Sequence, residues 1–405
     1  MILKIITYIV IFLSLILIPY SLYQFFIGLH YFKKINNIPD TDNYNKFAIL
    51  VAARNEAKVI SNLIDSLKSL NYPKDKYEII IAPNNCTDNT REVAINKQVR
   101  VFDIKSPIKN KGDVLHQMFD YLIDNEDHDA YVIFDADNIV DKNFLLEMNK
   151  QIEYGFSASQ GFRDSKNPYE SFTSGSYTLY HYMISTFYNK PRTALKLNNM
   201  IIGCGFMVTK KVIKSLGGWN TKTITEDLEF TVLTTLQGEK IGYTEKAIFY
   251  DEQPNSFIDS WHQRIRWQLG LKQGFLANSR EVLKSLFRGK GVNFLDTYAM
   301  LIANYISNIS LLSMIFGTIL ISMKTTSIVG FSILGYNIIG MVFGPSLFAI
   351  LILALNGKKI IPMWKGILFF GVFLASWIPI NAYVLFKDNV EWKEIKHDSK
   401  NNITN

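Results

Sequence analysis

From Ile5 to Leu29 the chain carries no charged residue, and no other feature restricts its fold as much. In hydrocarbon every backbone N–H and C=O must be bonded within the protein, so a lone apolar run becomes a helix. At about 1.5 Å per residue this one is long enough to cross a core roughly 30 Å thick. Lys33 and Lys34 follow, and the bias of basic residues toward the cytoplasmic side places what comes next in the cytoplasm. The run is too long for the apolar part of a cleaved leader, and no small-x-small cleavage site follows it, so a retained anchor is expected. Near the other end Thr297–Met323, Thr325–Leu355 and Gly366–Phe386 are charge-free or nearly so, the middle one broken near Pro345. Four spans are expected in all. An odd number of spans after a cytoplasmic domain leaves the tail outside, whereas Lys387, Lys393, Lys396 and Lys400 argue for inside, and the sequence leaves both open.

The apolar fraction, 48%, is concentrated at the two ends, which makes this a membrane protein with a water-soluble middle. The net charge of +7 admits nucleic acid, anionic lipid or an acidic substrate as partner. No basic low-complexity arm or zinc spacing supports nucleic acid, and Lys and Arg recur at the membrane edges, so membrane lipid is the expected partner and nucleic acid is not. Cys86 and Cys204 are the only thiols and lie far apart, which argues for a reducing compartment rather than a disulfide framework.

Between Lys46 and Gln253 strand and helix patterns alternate. Phe47–Ala53 reads as a buried strand, and Glu56–Leu70 as a helix with Val59, Leu63, Ile64, Leu67 and Leu70 on one face. Tyr77–Ala82 reads as a strand, Asp88–Asn96 as a helix and Val99–Ile104 as a strand, an order that calls for a parallel sheet with crossover helices. The run Val132–Phe134 stops at Asp135-Ala136-Asp137, which delivers two carboxylates to the carboxyl edge of the sheet, where open α/β sheets bind ligands. Hard oxygen donors there suit Mg²⁺ or Mn²⁺, and such an ion suits a diphosphate. A plain turn after a strand uses the same residue types.

Five motifs stand in order: Val51-Ala52-Ala53-Arg54-Asn55-Glu56, Asn85-Cys86-Thr87-Asp88-Asn89-Thr90, Asp135-Ala136-Asp137, Thr225-Glu226-Asp227 and Gln263-Arg264-Ile265-Arg266-Trp267. Together they resemble the membrane-embedded family 2 glycosyltransferases, similar to cellulose, hyaluronan and poly-N-acetylglucosamine synthases. The resemblance implies a transmembrane helix over 1–33 and a cytoplasmic α/β domain, GT-A-like and Rossmann-type, over 46–253. Interfacial amphipathic helices over 254–295, transmembrane helices over 296–387 and a polar tail over 388–405 complete the expected organisation. It also implies a multi-pass cell-membrane enzyme. Its expected reaction is inverting, metal-dependent β-transfer of GlcNAc or glucose from a UDP-sugar to a growing polysaccharide, processive and coupled to export through its own helices. An accessory export or regulatory subunit is compatible with that activity. Ceramide glucosyltransferase-like enzymes share much of the motif set, so a lipid acceptor receiving one sugar is the alternative.

Residue by residue, the resemblance assigns the loop of Ala53, Arg54 and Glu56 to the uridine. Asn84 stands where the family usually has an Asp, and an amide accepts a hydrogen bond without charge, which leaves the nucleobase open. Lys111, with Lys109 and Gly112, precedes a helix and can approach the diphosphate. Asp137 would ligate the metal, with Asp135 contacting the nucleoside and helping to orient the ion. Asp227 would be the base, with Glu226 and Thr225 around it, and Gly203 and Gly205 would let backbone approach an acceptor sugar. Gln263, Arg266 and Trp267 fall on one face of a helix over Asp259–Ala277. There the family closes Gln263 and Arg266 over the diphosphate and stacks the acceptor on Trp267.

Overall fold

The computed structural model describes residues 1–35, 37–105, 107–288, 291–324 and 327–389, so Lys393, Lys396 and Lys400 lie outside the described residues. The N-terminal run is one helix, α1 (Ile2–Leu29). The middle segment then alternates as β1 (Phe47–Ala53), α2 (Ile60–Lys68), β2 (Tyr77–Pro83), α3 (Thr90–Asn96), β3 (Arg100–Val101), α4 (Lys111–Asn125) and β4 (Ala130–Asp135). Only the first part of the expected third strand pairs, because β3 is an edge that meets β2 at Ile80 and Ile81 and then leaves. β5 (Ile139–Val140), α5 (Phe144–Glu153), β6 (Ala158–Ser165), α6 (Phe172–Met183) and α7 (Lys190–Leu195) follow. β7 (Phe206–Thr209), α8 (Lys210–Ser215), α9 (Glu226–Leu236) and β8 (Ile241–Asp251) close the domain.

All eight strands form one mixed sheet in the order β3-β2-β1-β4-β7-β6-β8-β5, parallel from β3 through β4 and joined by β7 running antiparallel to both β4 and β6. A strand buried on both faces reads as an unbroken apolar run, and β1 is such a strand, with only Ala52 partly exposed. One apolar layer lies under α2 and α5, the other under α4 and α8. Trp219 is a plug in the second layer. Its ring stacks on Phe230 at 4.6 Å and on Phe119 at 5.4 Å, which fixes α9 against the sheet.

Beyond the domain come α10 (Phe257–Phe287), α11 (Val292–Leu301), α12 (Ala303–Lys324), α13 (Ser327–Leu355), α14 (Trp364–Ala375) and α15 (Trp377–Leu385). The expected boundary at residue 296 falls inside α11, where Asp296 is needed. Arg192 of α7 pairs with both carboxylate oxygens of Asp296, at 2.7 and 2.9 Å, and Tyr23 of α1 donates to the same carboxylate at 2.9 Å. A charge pair this buried holds only because hydrogen bonds surround it. It clasps the N-terminal helix to the domain.

Among the described residues three helical stretches are long and apolar enough to cross a membrane: Ile2–Phe32, Ala303–Lys324 and Ile361–Leu385. They differ in surroundings. The first two are 11% and 6% buried over their apolar windows, the third 44%. Both ends of the third are tied to other helices of the chain. Lys365 donates to Glu170 O at 3.3 Å, Gly366 packs backbone to backbone on Gly175 of α6, and Lys272 of α10 donates to Leu385 O and Lys387 O. The fourth expected span, Thr325–Leu355, falls on α13, of which Ile339–Leu355 is a shorter described apolar stretch.

One position tests the packing beneath the site. Gly205 has φ +64°, and a Cβ there would lie 2.0 Å from the Phe249 ring. Gly205→Ala therefore combines overpacking, about 1–3 kcal/mol, with left-handed strain of about 1–2 kcal/mol. The expected outcome is a clearly lower thermal unfolding midpoint of the detergent-solubilised protein; an unchanged midpoint would mean the Phe249 ring steps aside freely.

Candidate active site

The strand order reverses between β1 and β4, and in open α/β sheets the crevice at that reversal binds ligands. Register pairs Ala52 with Asp135, so the loop after Ala53 and the Asp-x-Asp turn flank one opening. Three bonds stitch the two neighbouring loops together: Glu56 N to Thr90 Oγ1 at 2.8 Å, Ala57 N to Asp88 Oδ2 at 3.0 Å, and Thr87 N to Asn55 Oδ1 at 2.8 Å. Asn55 and Asn85 adopt positive φ, a backbone Asn tolerates, so the edge is shaped without glycine. Arg54 and Glu56 lie in this stitched loop. Asn84 donates through Nδ2 to Ala53 O at 3.1 Å, and an amide held by its nitrogen offers its oxygen as acceptor.

At the same edge carboxylates and cations gather. Lys111, at the start of α4 behind the Asn110–Asp113 capping box, donates to Asp135 Oδ1 at 2.5 Å and to Gly203 O at 2.8 Å. Lys111, expected to approach a diphosphate, bridges the Asp-x-Asp turn to the Gly203 loop. Asn138 donates to Asp251 Oδ1 at 2.8 Å and to Asp137 Oδ1 at 3.3 Å, which sets Asp251, the last residue of β8, beside the turn. Arg163 of β6 lies 3.5 Å from Asp251 and donates to Ile202 O at 2.5 Å and to Cys204 Sγ at 3.1 Å. Gly203 N donates to Asp227 Oδ2 at 2.5 Å, and φ +66° at Gly203 is what lets that N–H point there. Gly205 differs from expectation, being packed in the core against Phe249 rather than facing an acceptor.

Environment sets these acids apart. Burial disfavours the charge of Asp135, but the Lys111 ammonium outweighs it and holds this carboxyl below its ordinary value. Burial pushes Asp227 up, against the Leu228 and Gly203 N–H groups that stabilise its charge. Burial and then the neighbouring Asp227 charge push Glu226 up to about 7. Asp251 is raised by burial, with Arg163 opposing.

Helix α10, capped by Ser256, docks on the start of α9. A Cβ at Gly270 would sit 2.4 Å from the Thr225 side chain, so only glycine lets the two approach. Thr225 makes no side-chain capping bond; Glu229 instead accepts from Lys222 N and Thr223 N, both at 2.7 Å. From α10, Arg266 reaches the electrostatic field of Glu226, Asp135 and Asp227. Gln263 Oε1 is buried without a partner. Trp267 packs among Tyr177, His181 and Trp377 at ring separations of 5.8, 6.3 and 6.4 Å.

A family model described as glycosyl transferase family group 2 matches residues 131–378. The chain belongs to that family. β-Monoglucosyldiacylglycerol synthase of Synechocystis is 27% identical over 267 residues, covering 65% of this chain and 55% of that protein. The probable glycosyltransferase YdaM of Bacillus subtilis is 26% identical over 304 residues, covering 70% and 71%. Poly-β-1,6-N-acetyl-D-glucosamine synthase of Staphylococcus aureus is 25% identical over 284 residues, covering 68% and 66%. The chain spans about half the length of the glucosyldiacylglycerol synthases it matches. A mannosyltransferase from Pyrobaculum calidifontis, solved with GDP-Man and Mn²⁺, shares the fold with a TM-score of 0.62 at 17% identity, covering 94% of this chain and 96% of that one.

Asp135, Asp137 and Asp251 bring carboxylate oxygens to the carboxyl edge, Asp137 and Asp251 joined through Asn138, and carboxylates are the donors that Mg²⁺ or Mn²⁺ takes. A second acidic group, Glu78, Glu126 and His128, lies at the opposite edge of the sheet. Arg100 already pairs with both glutamates there, at 3.3 and 2.5 Å, which makes it an ion-pair network.

Arg163, Asp251, Asn138 and His181 escaped the sequence reading. Arg163 is signalled only as a cation inside a strand, and Asp251 only as an acid at a strand end, like Asp135. His181, buried beside Trp267 with both ring nitrogens unpartnered, is kept neutral by burial and by Arg163. Removing one partner of a buried charge pair costs about 3–5 kcal/mol. Arg163→Met should therefore destabilise the detergent-solubilised protein by that order in thermal unfolding, and Arg163→Lys by less; equal stability of all three would show that Asp251 is compensated elsewhere.

Proposed function

We propose that this protein transfers one sugar, GlcNAc or glucose, from a UDP-sugar with inversion, Asp227 acting as the base. The acceptor hydroxyl loses its proton to Asp227 while its oxygen bonds to the anomeric carbon, the bond from that carbon to the diphosphate breaks, and UDP leaves. The observation that carries this reading is Asp227 Oδ2 held at 2.5 Å by Gly203 N, with burial raising its proton affinity, across from the Lys111–Asp135 pair. Asp137, Asp135 and Asp251 would hold the divalent ion, whose chemistry is to neutralise charge on the departing diphosphate. Ala53, Arg54, Glu56 and Asn84 form the nucleoside edge, and Gln263 and Arg266 close from α10. Lys111 keeps Asp135 ionised. Trp267 offers the acceptor an aromatic face.

The same reading gives an orientation. Lys33 and Lys34 favour a cytoplasmic catalytic domain, and Ile361–Leu385, long and apolar enough to cross, packs on α13 as well as on α6.

Purified protein with Mn²⁺ or Mg²⁺ should release UDP from UDP-GlcNAc or UDP-glucose, and chelation should abolish it. Asp227→Asn should lower kcat by roughly 10²–10⁴-fold, the usual worth of a general base, with donor KM little changed; full activity in that variant ends the assignment. Because a carboxylate with raised affinity for its proton loses its charge at higher pH than usual, kcat/KM should fall on acidification within a range above that of ordinary aspartates. A protease site inserted between residues 37 and 45, just before the domain, should be protected in intact cells and cut in inverted vesicles, and the reverse pattern would refute the orientation.

A further inference from the structure

One peptide unit stands between a buried guanidinium and the carboxylate read above as the base. Its carbonyl, Ile202 O, accepts from Arg163 Nη2 at 2.5 Å, and its N–H, on Gly203, donates to Asp227 Oδ2 at 2.5 Å. The Gly203 carbon lies between the same two groups: a Cβ there would be 3.4 Å from Arg163 Nη2 and 3.8 Å from Asp227 Oδ2. A cation at the carbonyl end and an anion at the N–H end both stabilise one peptide dipole, and hydrogen bonds in such a row polarise one another. Turning this peptide over would aim its oxygen at the carboxylate, so the two charges select a single orientation.

The peptides on either side are fastened without Arg163. Gln160 accepts from Ile202 N at 2.9 Å and donates to Cys204 O at 3.0 Å, Gly205 N donates to Ile133 O at 2.8 Å, and Lys111 donates to Gly203 O at 2.8 Å. The Ile202 oxygen itself accepts from Arg163 and, at 2.7 Å, from Cys204 N, and of these donors the guanidinium alone is charged. Arg163 is less tightly engaged elsewhere. Asp251, at 3.5 Å from Nη1, takes shorter bonds from Asn138 at 2.8 Å and from Gln253 Nε2 at 3.0 Å. Rooted in β6 and only 7% exposed, the guanidinium is as fixed as the turn it holds.

We propose that Arg163 is a positioning residue for the transfer: through the peptide between Ile202 and Gly203 it fixes the direction in which Asp227 presents its carboxylate to the acceptor hydroxyl. It does so without touching the reacting atoms. A base that must meet a hydroxyl along one line loses rate when its carboxylate can turn, which is the loss that this relay prevents. The proposal rests on the reading of Asp227 as the base and adds what holds that base in place.

Full-length detergent-solubilised protein with Mn²⁺ and a UDP-sugar would be compared with Arg163→Gln, which removes the charge, and Arg163→Lys, which keeps it on a single ammonium in place of the fork. Calorimetry with UDP counts the folded sites of each, so loss of fold is not read as loss of rate. Per site, Arg163→Gln should lower kcat roughly ten- to a hundredfold, the worth of a hydrogen bond to a charged group, with donor KM little changed and Arg163→Lys in between. The acid limb of kcat/KM should move to higher pH in Arg163→Gln and by less in Arg163→Lys, since the other charged groups facing Asp227, namely Lys111, Glu226 and Arg266, are the same in all three. Read without turnover, amide hydrogen exchange of the peptide spanning residues 200–205 should be faster in Arg163→Gln than in the wild type. Wild-type kcat in either variant, an unmoved acid limb in Arg163→Gln, or unchanged exchange there overturns the proposal. An inactive Asp227→Asn beside a fully active Arg163→Gln sinks this relay and spares the base, whereas a fully active Asp227→Asn sinks the base whatever the Arg163 variants do.

Discussion

Burying several carboxylates beside one another is unfavourable, and much of this structure is arranged so that it can be done. Asp135, Asp227, Glu226 and Asp251 crowd the carboxyl edge of the sheet, and left alone they would protonate or repel. Lys111 comes from the start of α4, Arg163 from the middle of β6 and Arg266 from α10, each cation from a different element. Their uneven distribution separates the acids: Asp135, bonded to Lys111, stays ionised, whereas Glu226, farther from compensation and next to Asp227, binds its proton more tightly. Crossover order, the Gly203 turn and the docking of α10 through Gly270 all bring these charges to one place.

Much of that was legible in the chain. Continuous apolar runs marked β1 and the N-terminal apolar helix, and Asp-x-Asp at a strand end located the acidic edge of the site, because a charge placed just after a buried run has only the sheet edge to occupy. Less legible were the contributions of the antiparallel half of the sheet. Arg163 and Asp251 sit on β6 and β8, which pair out of sequence order around β7, and no local pattern tells which strands will be neighbours. Gly205 misled for a related reason. A Gly-Cys-Gly triplet predicts positive φ at both ends, as found, but not that one glycine faces the site and the other faces Phe249. Hydropathy likewise gave Ile361–Leu385 its length but not that 44% of its apolar window is buried against other parts of the chain.

α10 carries more than the motif for which it stood out. One of its faces meets α9 at Thr225, another holds Arg264 against Phe373 and Ser376, and Lys272 gathers the carbonyls that end α15. A helix fastened at both the acid cluster and the membrane-side helices keeps Arg266 and Trp267 in fixed relation to each. The aromatic row Tyr180, Trp377 and Trp267 is the product of that fastening, a continuous set of ring faces reaching from the helix bundle to the site.

The clasp of Arg192, Asp296 and Tyr23 has a further consequence. By locking the apolar N-terminal helix to the domain through short, directional bonds, it makes helix and domain one body. Whatever holds that helix in place then also holds the acid cluster, and a shift of one is a shift of the other.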